Sequence, residues 1–257
     1  MDEFIEALLP YISDVREQIA LAQESDGKVI TINRVEELGP LIDHTNLKID
    51  ATRSDLRQLV EEAATISAAS VCVHSVNVKF VVGECSKREK KIPVCSVVGF
   101  PSGAVSSVAK VAEASAAVAD GATEIDMVIH IGAMKDKRYA DVFLDVRAVR
   151  DAIPTDVVLK VILETASLNE EEVLLASMAS KFAGADFLKT STGFGPGGAT
   201  VEAVRILRSV SKRVKASGGI KTREDCENML QAGATRLGLS RGFGIITSCS
   251  AIEKGAY

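Results

Sequence analysis

From Leu41 onward the chain alternates short apolar, β-branched runs with longer stretches whose apolar residues return at helical spacing. That alternation is the mark of repeated βα units built around a parallel sheet. Eight units are predicted, with strands near Leu41–Asp43, Ser70–Val73, Pro93–Val98, Glu124–Ile129, Val157–Leu163, Asp186–Lys189, Arg213–Ala216 and Arg236–Gly238. Helical segments separate them and carry their own boundaries. Asn169 with Glu172, and Thr222 with Asp225, have the spacing of N-terminal capping pairs. Gly121, Gly184 and Gly233 follow helical runs where a left-handed residue ends a helix, and each leads within a few residues into the next strand.

Eight units in about 220 residues fit a (β/α)₈ barrel, whose active site lies at the C-terminal ends of the strands and whose phosphate site uses the loops after strands seven and eight. A doubly wound open sheet would show the same alternation, but no G-x-G-x-x-G follows the first strand. Residues 1–40 are assigned to a helical extension and 41–257 to the barrel. In the extension Ile5, Leu8, Leu9, Ile12, Val15 and Ile19 recur at roughly helical spacing, with Pro10 interrupting. Closing the bottom of the barrel or meeting another copy would suit that segment.

Composition narrows the class. Among 257 residues, 47% are apolar and 25% charged, enough for one large core without a break in composition. The net charge of -5 is modest and the basic residues are spread along the chain, so neither nucleic acid nor an anionic membrane is the expected partner. Five scattered cysteines without a C-x-x-C pair argue against a disulfide framework or a structural zinc site and for a reducing, cytoplasmic location. No leader pattern opens the chain, and no apolar stretch approaches the length of a membrane helix.

Two lysines stand out. Phe187-Leu188-Lys189-Thr190-Ser191-Thr192-Gly193 and Val214-Lys215-Ala216-Ser217-Gly218-Gly219 each end an apolar run with a lysine followed by small residues. An amine at a buried strand end, beside a second ammonium, is expected to lose its proton near neutral pH through desolvation and like-charge repulsion. A neutral lysine amine attacks carbonyls and forms Schiff bases. The glycines beyond each lysine, joined by Gly238-Leu239-Ser240-Arg241-Gly242, leave backbone N–H groups free for a phosphate, with a hydroxyl and a guanidinium beside them. Imine chemistry on a phosphorylated aldehyde or ketone is the resulting expectation. Either lysine alone would more simply be solvated or salt-bridged.

Asp126 lies in an otherwise apolar strand, where a carboxylate must be paired, hydrogen-bonded or protonated. It could move a hydroxyl proton directly or through water, or serve only as the partner of a core lysine. Glu124 is assigned to the opposite face of that strand, solvated or packed between strand and helix. Lys160 is a third lysine in an apolar run and would join a charge network in the lumen. Asp43 and Thr45 end the first strand and face one way, toward a substrate hydroxyl or a water. With only three histidines and no ligand cluster, no metal is expected. Cys72, between valines, reads as a small buried hydrophobe.

The stretches LIDHTNL (41–47), EIDMV (124–128), LKVILET (159–165), FLKTSTGFGPGGAT (187–200), VKASGGI (214–220) and LGLSRG (237–242) together closely resemble the deoxyribose-phosphate aldolase family. The resemblance runs from about residue 41 to 245 and leaves out the first forty. It implies a (β/α)₈ barrel and a class I aldolase, free of metal and cofactor, that reversibly cleaves 2-deoxy-D-ribose 5-phosphate to glyceraldehyde 3-phosphate and acetaldehyde. It implies Lys189 as the Schiff-base lysine, Lys215 as its ammonium neighbour and Asp126 as the proton carrier. Asp43, Thr45 and Lys160 fall to the substrate hydroxyl and charge network, and Gly193, Gly218, Gly219, Gly238 and Ser240 to the phosphate. Tyr257, at the end of the chain, matches a C-terminal tyrosine that assists proton transfer in some members. Phe194 stands where some members carry a lysine. A homodimer is compatible with the resemblance but is not established by it. Two other readings stay open: another phosphate-binding class I barrel aldolase, and a catalytically weak barrel used as a binding scaffold.

Overall fold

A computed structural model describes residues 2–8 and 29–254, with the backbone alone for 249–254. Its centre is a closed barrel of eight parallel strands in chain order: β1 (Ile42–Thr45), β2 (Ser70–His74), β3 (Val94–Val98), β4 (Glu124–Val128), β5 (Val158–Ile162), β6 (Phe187–Lys189), β7 (Val214–Ser217) and β8 (Arg236–Leu239). Pairing of Asp43 with Gly238 and His44 with Leu239 closes the ring. Every strand falls within two residues of its predicted ends. The open-sheet alternative is thereby excluded, because an open sheet would leave β1 and β8 unpaired.

The outer layer comprises α2 (Arg53–Thr65), α3 (Val78–Cys85), α4 (Ser107–Ala119), α5 (Ile131–Lys135), α6 (Tyr139–Ala152), α7 (Glu170–Phe182), α8 (Val201–Val210), α9 (Arg223–Gln231) and α10 (Gly242–Lys254). Capping boxes open α2 (Thr52 with Asp55), α7 (Asn169 with Glu172) and α9 (Thr222 with Asp225), satisfying backbone donors that a helix start otherwise orphans. Gly121, Gly184 and Gly233 stand with φ of 103°, 102° and 109° after α4, α7 and α9, which explains why only glycine suits those joins.

A short N-terminal helix, α1 (Asp2–Leu8), packs against α6, burying Phe4, Ile5 and Leu8. Phe4 meets Tyr139 edge to face at 5.5 Å. Residues 9–28, where Leu9, Pro10, Ile12, Val15 and Ile19 of the helical pattern fall, lie outside the described part.

Most apolar side chains pack between strands and helices in one continuous core. The lumen differs. It holds a small apolar group of Leu47, Cys72, Cys95 and Val97 backed by Phe100, while its remaining floor is ionic. Phe187 sits at the lower end of β6 with the Arg236 guanidinium 5.5 Å from its ring, so the barrel is filled rather than open.

Candidate active site

Alternation along a strand sends residues two apart to the same face. On β4 the inward pair is therefore Glu124 and Asp126, and on β6 it is Phe187 and Lys189. Glu124 thus overturns its expected position between strand and helix: its carboxylate reaches Lys160 Nζ at 2.6 Å and lies 3.7 Å from Arg236. The period of two in Glu124-Ile125-Asp126 already carried that signal.

Asp126 is wholly buried at the centre of the site. Lys189 and Lys215 both donate to its Oδ2, each at 2.7 Å, so their two nitrogens are no more than twice that distance apart. Oδ1 accepts from Lys160 at 2.7 Å and from the Cys95 thiol at 3.1 Å. Asp43 holds the other side of the cluster. Its Oδ2 lies 2.5 Å from Lys215 and 3.6 Å from Lys160, and its Oδ1 accepts from Arg236 at 2.6 Å.

Burial alone would push both aspartates up, but the surrounding ammonium groups win. Asp126 is held well below the usual carboxylate range by Lys160, Lys189 and Lys215, and Asp43 is held low by Lys215, Lys160 and Arg236. The converse holds for the cations. Burial works against the Lys215 and Lys160 ammonium groups, yet Asp126 and its fellow acids keep both above the ordinary lysine value. Four cations (Lys160, Lys189, Lys215, Arg236) face three carboxylates (Asp43, Glu124, Asp126). The cluster therefore carries one positive charge in excess.

Above it opens a cavity of about 460 Å³, whose lining includes Lys189, Gly193, Gly218, Gly219, Gly238 and Ser240. Of the three cluster lysines only Lys189 reaches this space; Lys160 and Lys215 are fully buried. Gly218 and Gly219 hold φ of +86° and +77°, a turn that only glycine takes without strain, and both line the cavity. Gly238 is required by crowding, because a Cβ there would stand 2.8 Å from Ser217 Cβ and 3.0 Å from Lys215 Cε.

A family model described as the DeoC/LacD family aldolase matches residues 40–248. This chain belongs to that aldolase family. It is 48% identical over 214 residues to the deoxyribose-phosphate aldolase of Corynebacterium diphtheriae, covering 82% of this chain and 95% of that one. Among solved structures, QR15, an aldolase, matches with a TM-score of 0.79 and 38% identity over 86% of this chain and 99% of that one. The deoxyribose phosphate aldolase from Aeropyrum pernix, described as tetrameric, matches with a TM-score of 0.79 and 31% identity, covering 95% of this chain and all of that one.

In this aldolase the sequence-predicted residues divide into two groups. Lys189, Lys215, Asp126, Lys160 and Asp43 meet in the ion cluster, whereas Thr45, Gly193, Gly218, Gly219, Gly238 and Ser240 line the cavity. Asp43 does not line the cavity, and its two oxygens are engaged by Arg236 and Lys215. Arg241 is exposed and stands outside the cavity lining. Tyr257 lies outside the described residues.

Sequence reasoning passed over three residues. Arg236 opens β8 and entered the sequence reading only as the first residue of a strand. Cys95 looked like one more buried thiol. Glu164, in a left-handed backbone conformation at φ 54°, accepts from the Thr192 N–H at 3.2 Å and from its hydroxyl, pinning the loop after β6. No local pattern announces any of these roles.

His44, one of the three histidines, is paired with Glu62 at 2.7 Å. Among the described residues, Cys72, Cys95 and Asp126 bring three ligand atoms within 4.8 Å. Three lysine ammonium groups already occupy that carboxylate, so a cation entering there would have to displace them.

No helix among the described residues is long and apolar enough to cross a membrane.

Proposed function

We propose that this chain cleaves 2-deoxy-D-ribose 5-phosphate reversibly to glyceraldehyde 3-phosphate and acetaldehyde, with Lys189 as the Schiff-base nucleophile. One observation carries the reading: a single carboxylate oxygen, Asp126 Oδ2, is shared at 2.7 Å by a lysine at the cavity floor and a lysine beneath it. The name of the Corynebacterium diphtheriae relative supports the substrate.

Loss of one proton neutralises the excess charge of the cluster, and Lys189 is the cluster lysine open to substrate. As a free amine it attacks the aldehyde carbon of the open-chain sugar, and loss of water gives an iminium. That iminium carries the same charge as the ammonium it replaces, so Asp126 Oδ2 pairs with it without reorganisation. Asp126, acting through water with Lys215 beside it, accepts the C3 hydroxyl proton as the C2–C3 bond breaks. The bonding pair flows into the iminium to give an enamine, and glyceraldehyde 3-phosphate leaves. Protonation of the enamine carbon and hydrolysis release acetaldehyde and restore Lys189.

The phosphate is held by the N–H groups of Gly193, Gly218, Gly219 and Gly238 and by Ser240, as the cavity lining and the left-handed glycine pair suggest. Thr45 lies on the same lining, within the space a sugar hydroxyl would occupy. Cys72, Cys85 and Cys95 are buried and form no disulfide among the described residues, in keeping with a reducing, cytoplasmic setting.

Borohydride trapping with acetaldehyde, followed by peptide mapping, tests the central step. An ethyl adduct on Lys189 that is lost in Lys189→Leu is the expected result. A folded wild type that yields no adduct would remove Lys189 as the nucleophile and favour the scaffold reading. Light scattering tests the homodimer: twice the 27.2 kDa chain mass supports it, and four times that mass replaces it with a tetramer.

A further inference from the structure

A carboxylate acting between two lysines must present one oxygen to both, so what holds its other oxygen sets its orientation. Asp126 has three ammonium groups around it, Lys189 and Lys215 donating to Oδ2 and Lys160 to Oδ1. Its fourth partner is neutral and directional. Cys95 pairs across the sheet with Glu124, one inward position below Asp126, so its thiol reaches up to Oδ1 at 3.1 Å. Lys160 Nζ lies 3.2 Å from the same sulfur and 2.7 Å from the same Oδ1.

We propose that Cys95 is a positioning residue for the aldol reaction: its S–H fixes Oδ1 of Asp126 toward the barrel floor and thereby leaves Oδ2 facing Lys189 and Lys215. The assignment rests on the roles given above to Lys189 and Asp126. Burial, reinforced by the neighbouring Cys72 and Asp126, pushes the Cys95 thiol well above its ordinary range, so it stays protonated and remains a donor. A neutral donor suits this place. The cluster already holds one cation more than its carboxylates balance, and another cation at this position would enlarge the excess, whereas an S–H adds direction without charge. The residue touches neither substrate nor the Schiff-base nitrogen and acts only through Asp126.

Two substitutions separate positioning from packing. Cys95→Val fills the volume without a donor, and Cys95→Ser keeps a donor while losing apolar bulk. The readouts are kcat and KM for 2-deoxy-D-ribose 5-phosphate, the melting temperature, and the rate at which acetaldehyde takes up deuterium from D₂O. In that exchange the Lys189 iminium loses a methyl proton to give the enamine, which regains a deuteron at the same carbon.

Cys95→Val is expected to lower kcat and the exchange rate by about tenfold, the scale of one lost hydrogen bond to a charged group. KM and melting temperature should hold, and Cys95→Ser should recover most of the rate despite its poorer packing. Unchanged kcat in a folded Cys95→Val, or equal losses in Val and Ser tracking their melting temperatures, would overturn the assignment while leaving the lysine reading intact. A wild type that exchanges no deuterium would instead overturn the lysine reading, and this assignment with it.

Discussion

Replacing Asp43 by asparagine removes one of the three carboxylates that balance the lumen, while keeping the size and shape of the side chain. Asp43 is fully buried, lies 2.6 Å from Arg236 and 2.5 Å from Lys215, and has Lys160 at 3.6 Å. At an effective dielectric of about 20, a single contact at 2.6 Å is worth about 6 kcal/mol before desolvation. Most of that is offset because a buried carboxylate gives up several kcal/mol of hydration, and loss of one partner from such a network costs about 3–5 kcal/mol net. For a domain of this size the melting temperature should fall by roughly 10 °C. Calorimetry at pH 7 on wild type and Asp43→Asn measures it directly. A fall of less than about 2 °C, at most about 1 kcal/mol by the same scaling, would show that the cluster does not depend on Asp43 for charge balance.

Three further outcomes follow from the same geometry. Gly218→Ala forces an L side chain into φ +86° with its Cβ 3.1 Å from Gly198 Cα; KM for the phosphorylated sugar should rise about tenfold or more, while deuterium uptake by acetaldehyde, which has no phosphate, stays unchanged. Equal damage to both rates would refute a phosphate role for the Gly218-Gly219 turn. Gly238→Ala places a methyl 3.0 Å from Lys215 Cε and should lower kcat by at least about tenfold through displacement of that ammonium, a result refuted by wild-type turnover. Acid should act through Asp126 and Asp43, both depressed in the folded state: their stabilisation is complete above the unfolded carboxylate value near pH 4 and is lost as pH falls through the folded values. Lys160 and Lys215 are raised, so their share is complete below about pH 10.4 and fades only above it. Melting temperature recorded against pH should be flat through neutrality and drop below about pH 4; a decline beginning near pH 6 would assign acid sensitivity to histidine instead.

The barrel was legible because each of its signals is local. Val158 to Ile162 is a short apolar run, Asn169 and Glu172 cap the helix that follows, and Gly184 ends that helix in a left-handed turn before Phe187 begins the next strand. None of those choices needs a distant partner. Lys189 and Lys215 were legible for the same reason, as each is a charge placed in a short buried strand and followed by small residues. Cys95, Arg236 and Glu164 were not. A thiol between Val94 and Ser96 has a sufficient local explanation as a buried hydrophobe, and Arg236 as the first residue of a strand. Glu164 takes its role from Thr192, on the loop after the next strand.

The pairs that build the site are long in sequence: 63 residues separate Lys189 from Asp126, 89 separate Lys215 from Asp126, and 193 separate Arg236 from Asp43. The last contact exists only because β8 pairs with β1, so charge balance and ring closure are one event. A slip of a single residue between β8 and β1 would turn Arg236 outward and carry Gly238 away from Lys215, leaving Asp43 with an unmatched oxygen in the lumen. Leaving a buried charge without its partner is strongly destabilising, whereas the apolar residues between strands and helices would tolerate many small rearrangements. On this argument the ion cluster adds less to overall stability than to register. It disfavours barrels closed one step out of place, and the register it favours is the one that sets a lysine amine at the floor of the cavity with a second ammonium and a shared carboxylate beneath it.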